Sequence, residues 1–137
     1  MRMTDIWARM VTVGFGGFIG ANARYLVGLW AVKKWGPDFP IGTFIINISG
    51  SFILGLFAAM ALKLNWNPRL HLLIAVGFVG AYTTFSTFEV ETLQLVMNGE
   101  RYKAALINLL GSVIFGFAAA WLGVMAARWM TSLKVGS

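Results

Sequence analysis

One stretch decides the fold: Gly77-Phe78-Val79-Gly80-Ala81-Tyr82-Thr83-Thr84-Phe85-Ser86-Thr87-Phe88-Glu89-Val90-Glu91. It lies inside an apolar run over residues 70–97. As a single helix this run would be about 42 Å long, which exceeds a hydrocarbon core of about 30 Å. Gly77 and Gly80 weaken a helix near the middle of the run. The sequence therefore predicts a membrane helix that is broken near Gly80.

Four hydroxyl residues follow the glycines within five positions: Thr83, Thr84, Ser86 and Thr87. Such side chains face lipid at a cost, so they should line a packed interface or a wet path. Phe85 and Phe88 stand at i and i+3 and share one helix face. Hydroxyl donors beside the positive edges of aromatic rings suit a small anion. The competing interpretation of the two rings is simple helix packing.

The composition is that of a membrane protein. Of 137 residues, 58% are hydrophobic and 12% are charged, and the mean hydropathy is +0.75. Soluble domains carry about twice as many charged residues. With no cysteine and a single histidine, disulfides and a cysteine–histidine metal site are excluded. The net charge of +6 is carried by no basic cluster or soluble module, so we expect no nucleic-acid partner.

Outward from this stretch, the pattern predicts an all-α membrane protein with a single domain over residues 1–137. Four transmembrane helices are expected, at about 6–32, 41–62, 70–97 and 102–129, with both termini on one side of the bilayer. The first segment has a rival interpretation as a signal peptide that ends at Ala21-Asn22-Ala23. Its glycine-rich core and its continuation past Arg24 favour a helix that is kept. Within it, Gly16 and Gly20 should allow another helix to approach closely.

Polar side chains within the other segments are candidates for function. Thr43, Asn47 and Ser51 are spaced four apart on one face of the second segment, and Asn108 and Ser112 are spaced likewise in the fourth. Asn47 either holds helices together or offers amide N–H groups to a passing anion. Arg24 either extends to the headgroups or raises the anion concentration at an entrance. The sequence alone does not decide between the two interpretations of Asn47 or between those of Arg24.

The positive charges do not select an orientation. Six lie on the side of the termini, against four on the other side, or five if Arg24 is counted. This balance gives no usable positive-inside bias, so the protein is expected to insert both ways round.

Three ordered motifs carry a resemblance. Residues 16–25 (GGFIGANARY), 42–47 (GTFIIN) and 80–88 (GAYTTFSTF) resemble the GGxxGAxxRY, GTxxxN and GGxTTFSTF stretches of the Fluc (CrcB) fluoride channels. The resemblance covers essentially the whole chain. It implies passive fluoride export through the cell (inner) membrane, which relieves fluoride toxicity. It also implies an antiparallel dual-topology homodimer in the lipid bilayer, with two pores.

The resemblance also implies roles for single residues. Asn47, Phe85 and Phe88 would line the pore, with Thr43, Thr84, Ser86 and Ser112 as further polar candidates and Arg24 in the vestibule. The backbone carbonyls of Gly80 and Thr83 would hold a structural sodium ion at the dimer interface. Two positions depart from the family pattern, since Ala81 replaces a glycine and Tyr82 stands where Leu is common.

Other classes of function are weaker. A small dual-topology proton-coupled exporter would usually carry an ionisable residue at mid-membrane, whereas Glu89 and Glu91 lie late in their segment. An intramembrane enzyme would need a base beside a nucleophile, and the sequence offers no such pair. A purely structural membrane protein would conduct no ions.

Overall fold

The computed structural model describes residues 3–97 and 100–133, and all the regular secondary structure in this part is helical. Three long elements are continuous, and the third segment is built from several pieces. The elements in chain order are α1 (Met3–Trp35), α2 (Ile41–Leu64), α3 (Pro68–His71), a π-helical segment (Leu72–Val79), α4 (Gly80–Tyr82), α5 (Phe85–Met97) and α6 (Tyr102–Leu133).

The long helices extend at most four residues beyond the ranges expected from the sequence. Three segments are long and apolar enough to cross a membrane, namely Ile41–Leu64, Pro68–Met97 and Tyr102–Ser132. Helix α1 is longer than any of them but is not among these three. It is continuous through Ala21–Ala23, where the rival signal peptide would end.

Glycines set the spacing between α1 and the third segment. A methyl group added at Gly16 would collide with the carbonyl of Leu73, and one added at Gly20 would collide with the carbonyl of Phe78. On the facing element, a Cβ at Gly77 would lie 2.7 Å from the carbonyl oxygen of Val13. The small-residue pair in α1 therefore does allow the close approach of backbones that its spacing indicates.

The second half of α2 packs on α6 in the same way. A Cβ at Gly55 would meet the carbonyl of Ala120, and a Cβ at Gly123 would meet that of Phe52. Both contacts are between backbones, so no side-chain rotation could relieve an added methyl group. Helices α2 and α6 thus form a close-packed pair.

The third segment is interrupted, and the interruption lies at Thr83 and Thr84. Gly80 keeps helical angles (φ −62°, ψ −33°), whereas Thr83 is extended (φ −77°, ψ 158°). The break therefore lies three residues beyond Gly80. Glycine alone does not end the helix here; the cause is a side chain of α2, described below.

Arg101, just before α6, contacts Asp38 in the loop between α1 and α2. Arg101 donates from Nη1 to the carbonyl oxygen of Asp38 at 2.6 Å and lies 4.0 Å from its carboxylate Oδ1. The contact connects the start of α6 to the loop between α1 and α2.

Many large apolar side chains of the chain are exposed. This is expected for a chain that is surrounded by lipid or by a second copy.

Candidate functional site

Asn47 holds the break in the third segment. Its Nδ2 donates to the carbonyl oxygen of Thr84 at 3.0 Å, and its Oδ1 accepts from the backbone N–H of Thr84 at 2.9 Å. One amide side chain thus satisfies both backbone groups of a residue 37 positions away. In a continuous helix the N–H of Thr84 would instead donate to the carbonyl of Gly80.

This exchange leaves backbone acceptors without helical partners. Among the described residues, no donor is found for the carbonyl oxygens of Gly80 and Thr83. The N–H of Thr87, which would otherwise bond the Thr83 carbonyl, lies 3.3 Å from Thr84 Oγ1. By accepting from this N–H, Thr84 Oγ1 caps the first turn of α5, and it donates in turn to Thr87 Oγ1 at 2.9 Å.

A groove of about 270 Å³ opens beside the break, and we call it the junction groove. It brings together most of the residues that the sequence singled out as pore candidates. Its polar lining comes from α2, the break and α6, and its apolar lining includes both phenylalanines of α5. The lining includes Asn47, Ser51, Thr83, Thr84, Phe85, Phe88 and Ser112.

The hydroxyl of Ser112, which lines this groove, differs from that of Ser51 in its hydrogen bonding. Its Oγ is buried and has no hydrogen-bond partner within residues 3–97 and 100–133. Ser51, which lines the same groove, has its hydroxyl occupied by the carbonyl oxygen of Asn47 at 2.8 Å. A buried hydroxyl without a hydrogen-bond partner is costly, so Ser112 stands out among the polar residues that line the groove.

The two phenylalanines differ in exposure. Phe85 is 71% exposed, whereas Phe88 is 6% exposed, and their ring centroids lie 5.9 Å apart with an interplanar angle of 40°. Phe88 is therefore packed within the chain itself. Phe85 presents its ring to whatever lies outside the chain.

A larger cavity of about 800 Å³ lies next to the junction groove. Arg24, Thr43, Glu91 and Arg101 line it, and Thr84 lines both cavities. Thr43 is 8% exposed and lies beside the Glu91 carboxyl. Thr84 is therefore the residue that the two cavities share.

Two of the sequence candidates lie outside both cavities. Ser86 is exposed on α5 and lines neither, and Gly80 is exposed beside the break but also lines neither. The structure also draws attention to two polar residues to which the sequence gave no specific role in a site. Glu91 carries a buried Oε2 without a partner in the described part of the chain, and Asn108 is 1% exposed and donates to Thr92 Oγ1 at 2.7 Å. The spacing of Asn108 and Ser112 hinted at a shared polar face, but no sequence signal identified Thr92 as the partner.

The chain is similar to known proteins over most of its length. The family model described as "CrcB-like protein, Camphor Resistance (CrcB)" matches residues 11–124. A protein named fluoride-specific ion channel FluC from Anaeromyxobacter dehalogenans is 44% identical over 124 residues, covering 90% of this chain and 98% of that protein. A protein of the same name from Chlorobium chlorochromatii is 42% identical over 129 residues, covering 93% and 98%. The chain belongs to the CrcB family.

Proposed function

We propose that this protein is a fluoride-specific ion channel that lets fluoride leave the cell passively across the cell (inner) membrane and so relieves fluoride toxicity. The observation that carries the proposal is the junction groove, where an amide, several hydroxyls and two phenyl rings meet among apolar helices. The relatives named fluoride-specific ion channels support it. A channel needs no catalytic residues, and this protein is not an enzyme.

The groove offers what a dehydrated anion requires. Fluoride is small and strongly hydrated, so hydrogen-bond donors must replace its water. The Ser112 hydroxyl is unpartnered, and Asn47 uses one of its two amide N–H groups on Thr84. The ring edge of Phe85 adds a weak positive potential. Arg24 and Arg101 line the neighbouring cavity and raise the anion concentration at its mouth.

The channel is proposed to work as an antiparallel dual-topology homodimer with four transmembrane helices per chain, α1 being the fourth, and with two pores. The junction groove is open at the side of the chain, and Phe85 stands exposed at its edge. A second copy would cover both. The balanced Lys and Arg count supports insertion of the two copies in opposite orientations.

A structural sodium ion at the dimer interface is proposed to be held by the carbonyl oxygens of Gly80 and Thr83. These oxygens have lost their helical donors, and carbonyls without a donor at membrane depth need a partner. Sodium is a hard cation that suits carbonyl ligands. The ion would neutralise oxygen dipoles where two chains meet, whereas fluoride would pass along the side chains of the groove.

The decisive experiment is ion efflux from liposomes that contain the purified protein. Fluoride efflux driven by its own gradient, with chloride efflux near background, is expected. A dependence of flux on an imposed proton gradient would support the proton-coupled exporter instead. No flux of either anion through folded protein would leave only a structural role.

Dual topology has a separate test in cells. A C-terminal reporter that is active on one side of the membrane should be detected in both orientations. Adding lysines to the loop at Lys33 and Lys34 should impose one orientation and abolish transport. A uniform orientation of the unmodified chain would contradict the antiparallel dimer while leaving fluoride transport itself to the efflux experiment.

A further inference from the structure

Tyr82 makes a second attachment between the break and α2, independent of Asn47. Its hydroxyl lies 2.9 Å from Ser49 Oγ, and its ring stacks on Phe78 with centroids 5.7 Å apart and an interplanar angle of 8°. Tyr82 is 6% exposed, so water does not compete for its hydroxyl. Three successive residues therefore meet α2, since Tyr82 bonds Ser49, Thr83 packs on Gly50 and Thr84 bonds Asn47.

The direction of this hydrogen bond follows from the other contacts of Ser49. Ser49 Oγ lies 2.7 Å from the carbonyl oxygen of Ile45 and 3.2 Å from that of Ile46, both of which only accept. A serine hydroxyl has one hydrogen, and it is used on these carbonyls. The Tyr82 hydroxyl therefore donates to Ser49 Oγ. The two hydroxyls form a short relay that ends on the backbone of α2.

We propose that Tyr82 is a positioning residue for ion passage. By fastening the last helical residue before the break to α2, it sets where the Thr84 hydroxyl and the Thr83 carbonyl lie relative to the junction groove. The inference rests on the proposed function, because it concerns the geometry of the proposed pore. Gly50 makes the attachment possible, because a Cβ there would collide with the Thr83 methyl group and lie 3.3 Å from the Tyr82 ring.

The relay predicts that its two ends respond differently to mutation. Tyr82→Phe keeps the stacked ring and leaves Ser49 bonded to Ile45, so no buried polar group is stranded. Ser49→Ala removes the one acceptor that residues 3–97 and 100–133 offer to the buried Tyr82 hydroxyl, which is more costly. Adding Tyr82→Phe to Ser49→Ala removes the stranded hydroxyl and should restore the stability that Ser49→Ala lost.

The experiment measures fluoride efflux per assembled protein and melting temperature for wild type, Tyr82→Phe, Ser49→Ala and the double variant. Tyr102→Phe, a tyrosine that is 63% exposed at the start of α6, is the matched control. We expect Tyr82→Phe to melt close to wild type but to conduct about threefold to tenfold more slowly, the range that corresponds to one hydrogen bond. Ser49→Ala should melt at the lowest temperature, and the double variant should melt like Tyr82→Phe.

Each contrary result overturns the inference. If Tyr82→Phe conducts like wild type and Tyr102→Phe, the hydroxyl does not position the pore. If Tyr82→Phe fails to assemble, or if Ser49→Ala is as stable as Tyr82→Phe, the relay does not have the direction inferred here. Wild-type protein that shows no fluoride efflux would contradict the proposed function instead, so the two failures are distinguishable.

Discussion

Helix α2 makes two unlike contacts along its length. Its first half, residues 41–51, meets the broken third segment through directed hydrogen bonds, in which Asn47 donates to Thr84 and Ser49 accepts from Tyr82. Its second half, residues 52–64, meets α6 through a backbone contact at Gly55 that contains no polar side chain. Both halves belong to one continuous helix. The polar contacts with the third segment thus lie in the first half of α2, although this half also packs on α6, where Phe44 lies beside Gly111.

The difference lies in what each contact can specify. Glycine contacts between helices set the distance between two backbones but tolerate regular helical geometry on both sides. The Asn47 contact instead interrupts the regular geometry of the helix that it meets. The N–H of Thr84 donates to Asn47 and not to the Gly80 carbonyl, so the helix ends there. Substitutions in the first half should change ion passage, and substitutions in the second half should change stability.

The largest effect is expected for Asn47→Leu. The change keeps the approximate volume but strands both backbone groups of Thr84, which Asn47 now satisfies. Fluoride efflux should fall on the order of a hundredfold, since two hydrogen bonds together are worth about 2 to 3 kcal/mol. Asn22→Leu is the control, because Asn22 is exposed and its side chain donates to the Phe18 carbonyl of its own helix. Equal flux through Asn47→Leu and wild type would show that the break does not depend on this amide.

The second half of α2 is tested by Gly55→Ala. The added methyl group meets the backbone of Ala120, so the free energy of unfolding should decrease by about 2 kcal/mol. The fluoride efflux of the molecules that still assemble should stay near wild type. Gly14→Ala is the matched control, because a Cβ there finds open space and alanine favours a helix over glycine. Loss of fluoride flux in stable Gly55→Ala protein would contradict the prediction that substitutions in the second half of α2 change stability and not ion passage.

Local patterns predicted the polar face of α2 and the location of the break to within a few residues. The spacing of Thr43, Asn47 and Ser51 by four residues indicates a shared helix face without any tertiary information. Glycine composition likewise indicated that backbones approach closely at Gly16 and Gly20. These features depend on neighbours within one or two helical turns.

The partner of Asn47 could not be predicted from the same patterns. Thr84 lies 37 positions further along the chain, and only the tertiary fold brings the two together. The break was expected near Gly80 because glycine has low helix propensity, yet Gly80 stays helical and Thr83 is extended. The long-range hydrogen bond from Thr84 to Asn47 sets the position of the helix break, which helix propensity predicts only approximately. The π-helical geometry over Leu72–Val79 has no comparable signal in the sequence.

Phe85→Ile and Phe88→Ile extend the comparison to α5. Both rings line the junction groove, but Phe88 is buried in the chain and Phe85 is exposed. Phe88→Ile should lower the free energy of unfolding by about 1 kcal/mol through lost packing, whereas Phe85→Ile should leave chain stability nearly unchanged. If the ring edges line the pore, both variants should conduct several-fold more slowly per assembled channel. Normal flux through stable Phe88→Ile would assign that ring to packing alone.

The smallest effect is expected for Ser112→Ala. The changes in melting temperature and in fluoride efflux together show whether the Ser112 hydroxyl serves the ion or makes a structural hydrogen bond. Ser112 Oγ is buried without a hydrogen-bond partner among the described residues, so removing it strands nothing. The melting temperature should therefore stay the same or rise slightly. Fluoride efflux should nevertheless fall by about twofold to threefold, because one donor to the dehydrated anion is lost while Asn47 and Phe85 remain. Ser132→Ala is the control, since Ser132 is exposed and bonds Trp129 of its own helix. A lower melting temperature with unchanged flux would instead mean that Ser112 has a structural partner and does not serve the ion.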